Sequence, residues 1–178
     1  MDTYKVGYIV GSLAKASINR RLALALAKLA PPQLELVEIP IRDLPLYCYD
    51  FDKDYPPVAT AFKDAIAAVD AVLFVTPEYN RSIPGALKNA IDWGSRPYGT
   101  NSFSRKPTAV GQQHLRSILG FCNAPQMNSP EAYIQYKPDM IDDAHLVTIE
   151  ATRTFLEKYM QDFHAFVVRV LTVLPRAS

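Results

Sequence analysis

Two stretches of this chain set polar and aromatic side chains immediately after runs that read as buried strands. The first spans residues 11–20, Gly-Ser-Leu-Ala-Lys-Ala-Ser-Ile-Asn-Arg. It joins a strand pattern to the start of a helical one, where unpaired backbone N–H groups and the helix dipole favour an anion. Ser12, Ser17 and Asn19 add side-chain donors, and Lys15 and Arg20 add positive charge. That set suits a terminal phosphate. No Gly-Lys-Ser/Thr closes the loop and only one of the three dinucleotide glycines is present, so neither nucleotide fingerprint applies. Taken alone, the loop is equally served by Ser17 as a plain helix cap and Lys15 as a solvated charge.

The second stretch is Thr76-Pro77-Glu78-Tyr79-Asn80-Arg81-Ser82. A tyrosine just beyond a buried strand, between proline and asparagine, can offer its ring to a planar ligand. Taken singly, a plain turn formed by Pro77 and Asn80, with Tyr79 packing on its neighbours, accounts for it better. Together the two stretches put a phosphate site and a flat-ring site on one sheet edge.

The elements that must position them follow from periodicity. Tyr4–Val10 is an apolar run with one charge, and Ala71–Val75 is the strongest buried-strand pattern in the chain. Ile18–Leu29 has helical spacing and stops at Pro31-Pro32. Leu34–Ile39 reads as a strand, 40–57 as a proline- and tyrosine-rich connector, and Val58–Val69 as a helix. Ser82 is expected to cap the next helix, with Pro84 in its first turn and Gly94 at its end. A last long helix is predicted over 149–173, with Phe155, Tyr159, Phe163, Phe166 and Val170 on its apolar side. Alternating strands and helices imply a parallel sheet with helices on both faces, its ligand beyond the carboxyl ends of the strands. The loops after Val10, Val75 and Val110 are the places for chemistry.

Composition narrows the function classes. With 178 residues, 49% hydrophobic and 21% charged, the chain is expected to form a single domain over 1–178. A net charge of +1 argues against a nucleic-acid binder. No apolar run of about 18 residues suggests a membrane span, and no signal-peptide pattern opens the chain, so a cytoplasmic protein is expected. His114, His145 and His164 lack metal-ligand spacing, and the Asp139, Asp142, Asp143 and His145 cluster reads as solvated loop. Cys122 reads as core. No Gly-x-Ser-x-Gly elbow anchors a hydrolase triad.

Gly11-Ser12-Leu13 with Ser17-x-Asn19-Arg20, Pro77-Glu78-Tyr79-Asn80, and Pro84-Gly85-x-Leu87-Lys88-Asn89-Ala90-Ile91-Asp92-Trp93 resemble the NADPH-dependent FMN reductase family, nearest to its quinone, chromate and azo-dye reductases. Gln113-His114-Leu115-Arg116, Asn123-Ala124-Pro125 and Glu131-Ala132-Tyr133 extend the resemblance over nearly the whole chain. It implies a flavodoxin-like α/β fold, a five-stranded parallel sheet with helices on both faces, holding FMN. By carry-over, Ser12, Ser17, Ile18 and Asn19 would hold the phosphate, and Pro77, Glu78, Tyr79 and Asn80 would line the isoalloxazine, with Lys15 and Ser82 nearby. Lys15 stands where the family often has arginine, so its contact would be a point charge instead of a bidentate fork.

The resemblance further implies NADPH or NADH as co-substrate and ping-pong transfer to a quinone or similar small acceptor. It also implies assembly into a homodimer or homotetramer, using the Trp93 helix and the last helix. No side chain need act as acid or base, because the flavin carries the chemistry. Arg81, Arg96 and Tyr98 are candidates for the acceptor mouth. Two other readings compete: a flavodoxin-type electron carrier, disfavoured by the absence of strong acidity, and a flavin-free phosphate-ester or nucleotide-binding enzyme. One departure stands out. Relatives follow the fourth strand with a Gly/Ser-rich loop, whereas here Lys106–Val110 runs through Gly111 and Gln112 into a helical pattern. Such connections take about 2–6 residues, so either the loop is deleted in this chain or, the favoured reading, a break in the chain is expected near Val110–Gly111–Gln112.

Overall fold

A computed structural model describes residues 2–175. Five strands form one all-parallel sheet: β1 (Tyr4–Val10), β2 (Leu34–Glu38), β3 (Ala71–Val75), β4 (Thr108–Ala109) and β5 (Gln126–Met127), in the order β2-β1-β3-β4-β5. The helices are α1 (Ile18–Leu29), α2 (Pro57–Ala67), α3 (Gly85–Ser95), α4 (Gln113–Phe121) and α5 (Glu150–Val173). A single 3-10 turn, Tyr49–Asp52, interrupts the connector. This is the flavodoxin-like arrangement expected from the sequence.

Period-two alternation sorts the core into two layers. Val6, Tyr8 and Val10 of β1 and Ala71, Leu73 and Val75 of β3 pack toward α1 and α5, where Leu26, Leu156, Met160, Phe163 and Val167 complete the layer. Ile9, Val72 and Phe74 point the other way, against Phe62 and Ile66 of α2, Leu87 and Trp93 of α3, and Leu115 and Leu119 of α4. Apolar residues on both faces of the central strands are what a covered parallel sheet requires. The strand order reverses between β1 and β3, whose last residues Val10 and Val75 pair. That is the switch point where a crevice opens.

Only Val110, Gly111 and Gln112 lie between β4 and α4, and the Gln112 side chain caps α4 by accepting from the Leu115 N–H at 2.9 Å. Several expectations are corrected. Ser82 does not cap α3, which starts beyond Pro84. Gly94 lies inside the last turn of α3 instead of capping it, since a Cβ there would meet Phe103 Cε2 at 2.4 Å. On α5 the buried stripe is Leu156, Tyr159, Met160, Phe163 and Val167, while Phe155 is exposed. Cys122 is core, as expected.

Candidate active site at the β1–β3 crevice

The crevice is tight because Gly11 has no side chain. A Cβ at Gly11 would lie 2.2 Å from Thr76 Oγ1, and the Gly11 N–H donates to the Val75 carbonyl at 2.9 Å. The loop after β1 can therefore lie directly against the loop after β3.

From Gly11 the chain turns into α1. Ser17 sits in extended backbone with φ −67° and ψ 119°, and its Oγ accepts from the Arg20 N–H at 3.2 Å. The serine cap thus exists, and it is buried. It uses the hydroxyl oxygen as acceptor and leaves the first-turn N–H groups of Ile18 and Asn19 pointing out of the helix end. Ser12 is buried and its Oγ accepts a long bond from the Ala14 N–H at 3.4 Å.

Beyond β3, Tyr79 and Ser82 exchange backbone hydrogen bonds of 2.9 Å in each direction. Asn80 and Arg81 form the corner with φ of 50° and 61°. Two consecutive positive φ values make the mirror-image turn that suits a tight hairpin, comfortable for asparagine and strained for arginine. The hairpin holds the Tyr79 ring out, 55% exposed. His114 Nδ1 lies 3.0 Å from Ser82 Oγ and ties the hairpin to α4.

A cavity of about 530 Å³ joins the two loops. Ile18 and Asn19 line one end, Thr76, Pro77 and Glu78 the middle, and Gly111, Gln112 and 132–136 the far wall. Of the sequence candidates it gathers Ile18, Asn19, Pro77 and Glu78. Ser12 faces a second cavity of about 390 Å³ on the β2 side, with Arg20, Glu38 and Arg42. There Arg20 and Glu38 form a two-pronged ion pair at 2.5 and 2.6 Å, so Arg20's charge is already engaged. Lys15 is exposed and makes no hydrogen bond or ion pair among the described residues. Tyr79, Asn80 and Ser82 form the hairpin beside the main cavity without lining it.

The expected acceptor mouth is not assembled from Arg81, Arg96 and Tyr98. Arg96 donates to Tyr47 Oη at 2.9 Å and to Asp52 Oδ2 at 3.0 Å, pinning the connector to the end of α3. Tyr98 is 85% exposed, and neither residue lines the cavity.

Sequence reasoning missed the residue that holds the far wall. Arg116 Nη2 donates to the Val110 carbonyl at 2.7 Å, its guanidinium reaches the Met127 carbonyl at 3.3 Å and Asn128 Oδ1 at 3.1 Å, and its Nε lies 3.1 Å from Glu131 Oε1. The one signal for it was its place in the Gln113-His114-Leu115-Arg116 run.

The shape fits FMN. The volume falls within the range of sites for ligands of that size. The α1 N-terminus with its buried serine offers donors to a phosphate, and the Gly11 contact keeps the adjoining loops close enough for one ligand to span them.

The sequence profile of the NADPH-dependent FMN reductase family matches residues 4–139. The chain is 46% identical over 179 residues to a quinone reductase of Pseudomonas putida, covering 93% of this chain and 96% of that one. It is 43% identical over 175 residues to a 2-hydroxy-1,4-benzoquinone reductase of a Burkholderia species, covering 92% and 96%. The 179-residue alignment is longer than this whole chain, so that relative has residues with no counterpart here. Among solved structures, the flavoenzyme NAD(P)H:(acceptor) oxidoreductase FerB of Paracoccus denitrificans superposes with a TM-score of 0.89 at 40% identity, covering 94% of this chain and 98% of that one. With a profile match over three-quarters of its length and relatives at 43% and 46% identity, the chain belongs to the NADPH-dependent FMN reductase family.

Proposed function

We propose that this protein is an FMN-dependent NAD(P)H oxidoreductase that passes electrons to quinones or similar small acceptors. The observation that carries the reading is the single cavity running from the α1 N-terminus at Ile18 and Asn19 to Pro77 and Glu78 after β3. FMN, when bound, supplies the redox chemistry, and the chain supplies binding, orientation and exclusion of water.

Ser17, the N–H groups of Ile18 and Asn19, and the positive end of α1 would hold the phosphate. Ser12 and Lys15 flank that end from the neighbouring side of the loop. Pro77 and Glu78 would border the ring, and the Tyr79–Ser82 hairpin, with Asn80 at its corner, would guard its open edge. Gln112 and 132–136 close the far side against water. Donor and acceptor would share one cleft and enter in turn, giving ping-pong kinetics. Among the described residues no helix is long and apolar enough to cross a membrane. Self-association would use apolar side chains left exposed, such as Phe121 and Val173. Trp93, fully buried, would not take part.

Steady-state assays with NADPH or NADH and a varied quinone test the reading. Parallel double-reciprocal lines that require added or bound FMN are expected. FMN binding without nicotinamide oxidation would indicate an electron carrier instead.

A further inference from the structure

β4 has two residues, and three more bring the chain to α4. Of those three, Gly111 and Gln112 line the main cavity. Gln112 is a polar side chain left only 5% exposed. Its Oε1 accepts from the Leu115 N–H at 2.9 Å, which turns the carbonyl end of the amide toward the helix. The nitrogen end is thereby fixed on the other side.

Nε2 carries two N–H groups. Its one partner among the described residues is the Arg81 carbonyl, 3.4 Å away and at the limit of a hydrogen bond. At least one N–H of a buried amide therefore has no acceptor in the protein, which costs free energy until a ligand supplies one. Through Arg81 the same nitrogen touches the hairpin that follows Pro77 and Glu78, so the amide stands between the loops after β3 and β4. It also stands at the N-terminus of α4, whose positive end favours an electron-rich acceptor.

We infer that Gln112 is a cofactor-binding residue whose Nε2–H donates to an acceptor atom on the pyrimidine edge of the FMN ring. This rests on the flavin reading above and adds to it a residue that sets the flavin's reduction potential. A ring that has taken up two electrons and one proton carries one negative charge, held on that edge. A donor aimed there stabilises the charged form more than the neutral one. One amide thus does two jobs: its oxygen caps α4 and its nitrogen favours the reduced cofactor.

Two variants separate the jobs. Gln112→Ser keeps a side-chain oxygen suited to the cap and withdraws the amide nitrogen. Gln112→Glu keeps the cap and puts a carboxylate oxygen where the donor was. Both should unfold in urea near the parent's midpoint. Flavin fluorescence quenching should show oxidised FMN bound about fivefold more weakly by Gln112→Ser, the effect of one neutral hydrogen bond, and reduced FMN about twenty-fivefold more weakly. The reduced-to-oxidised ratio then falls about fivefold, which lowers the midpoint potential by about 20 mV for a two-electron couple. Gln112→Glu should move both readouts further in the same direction. FMN affinity and potential equal to the parent's in both variants would overturn the inference and leave the flavin reading standing. Weaker binding with an unchanged potential would also overturn it, because the amide would then lie away from the edge that gains the charge. A parent protein that binds no FMN would refute the flavin reading and this inference together.

Discussion

Arg116 donates from Nη2 to the carbonyl of Val110 at 2.7 Å, closing the end of a strand, β4, that has only two residues. The same guanidinium reaches the Met127 carbonyl just beyond, at the end of β5. One planar side chain thereby satisfies acceptors that a longer ladder would otherwise have used. It also anchors the segment that walls the cavity, through Asn128 and Glu131.

Replacing Arg116 with alanine should therefore lower stability by about 2–3 kcal/mol, because Val110 and Met127 are buried and lose their donor. Lysine should rescue little, since it cannot fork across several acceptors. Urea denaturation measures the stability, and a loss below about 0.5 kcal/mol would show the contacts to be incidental.

Gly11 and Gly85 make a matched pair. Gly11→Ala forces a Cβ against Thr76 and should cost about 2 kcal/mol together with a sharp fall in FMN affinity. Gly85, with nothing within 4 Å of a Cβ, should accept alanine within about 0.5 kcal/mol and bind FMN normally. Flavin fluorescence quenching reads both.

Ser17→Ala should destabilise α1 by about 1 kcal/mol through loss of the Arg20 N–H partner. The same variant should weaken FMN by about tenfold, since a hydrogen bond to a charged phosphate is worth more than a neutral one. Riboflavin, lacking the phosphate, should bind parent and variant alike. Comparing the two flavins separates phosphate binding from a general effect on the fold.

Much of this was legible in the sequence, and the reasons differ element by element. Ile18–Leu29 and Ala71–Val75 end where their patterns end, because Pro31 stops one and a fully apolar run marks the other. Gly94 was unreadable because its reason is Phe103, a contact made only when the next loop folds back. Ser82 fits a cap by type, but the positive φ of Asn80 and Arg81 turns it into a hairpin partner for Tyr79. Ile18, Asn19, Pro77 and Glu78 converge because β1 and β3 are neighbours at the switch point. Arg116 acts through backbone carbonyls at two strand ends, a role that only its place in the Gln113-His114-Leu115-Arg116 run hinted at.

Alkaline stability should follow the buried tyrosines. Burial raises the Tyr8 and Tyr55 phenols and pushes Tyr159 up to about 12. The unfolded chain releases these protons near the ordinary tyrosine value of about 10, while the folded chain retains them. Stability is therefore full below about pH 10 and falls as pH climbs toward 12. Phenolate absorbance against pH should show these tyrosines ionising together with unfolding. A titration complete by about pH 10.5 with the fold intact would contradict the burial.

The most direct test of the central claim is a visible absorption spectrum of the protein with added FMN, followed by anaerobic NADPH and then 1,4-naphthoquinone. The flavin is expected to co-elute with the protein at about one per chain, to bleach on adding NADPH, and to regain its bands on adding naphthoquinone. A protein that retains no FMN, or whose bound flavin stays oxidised with both nicotinamides, would contradict the account.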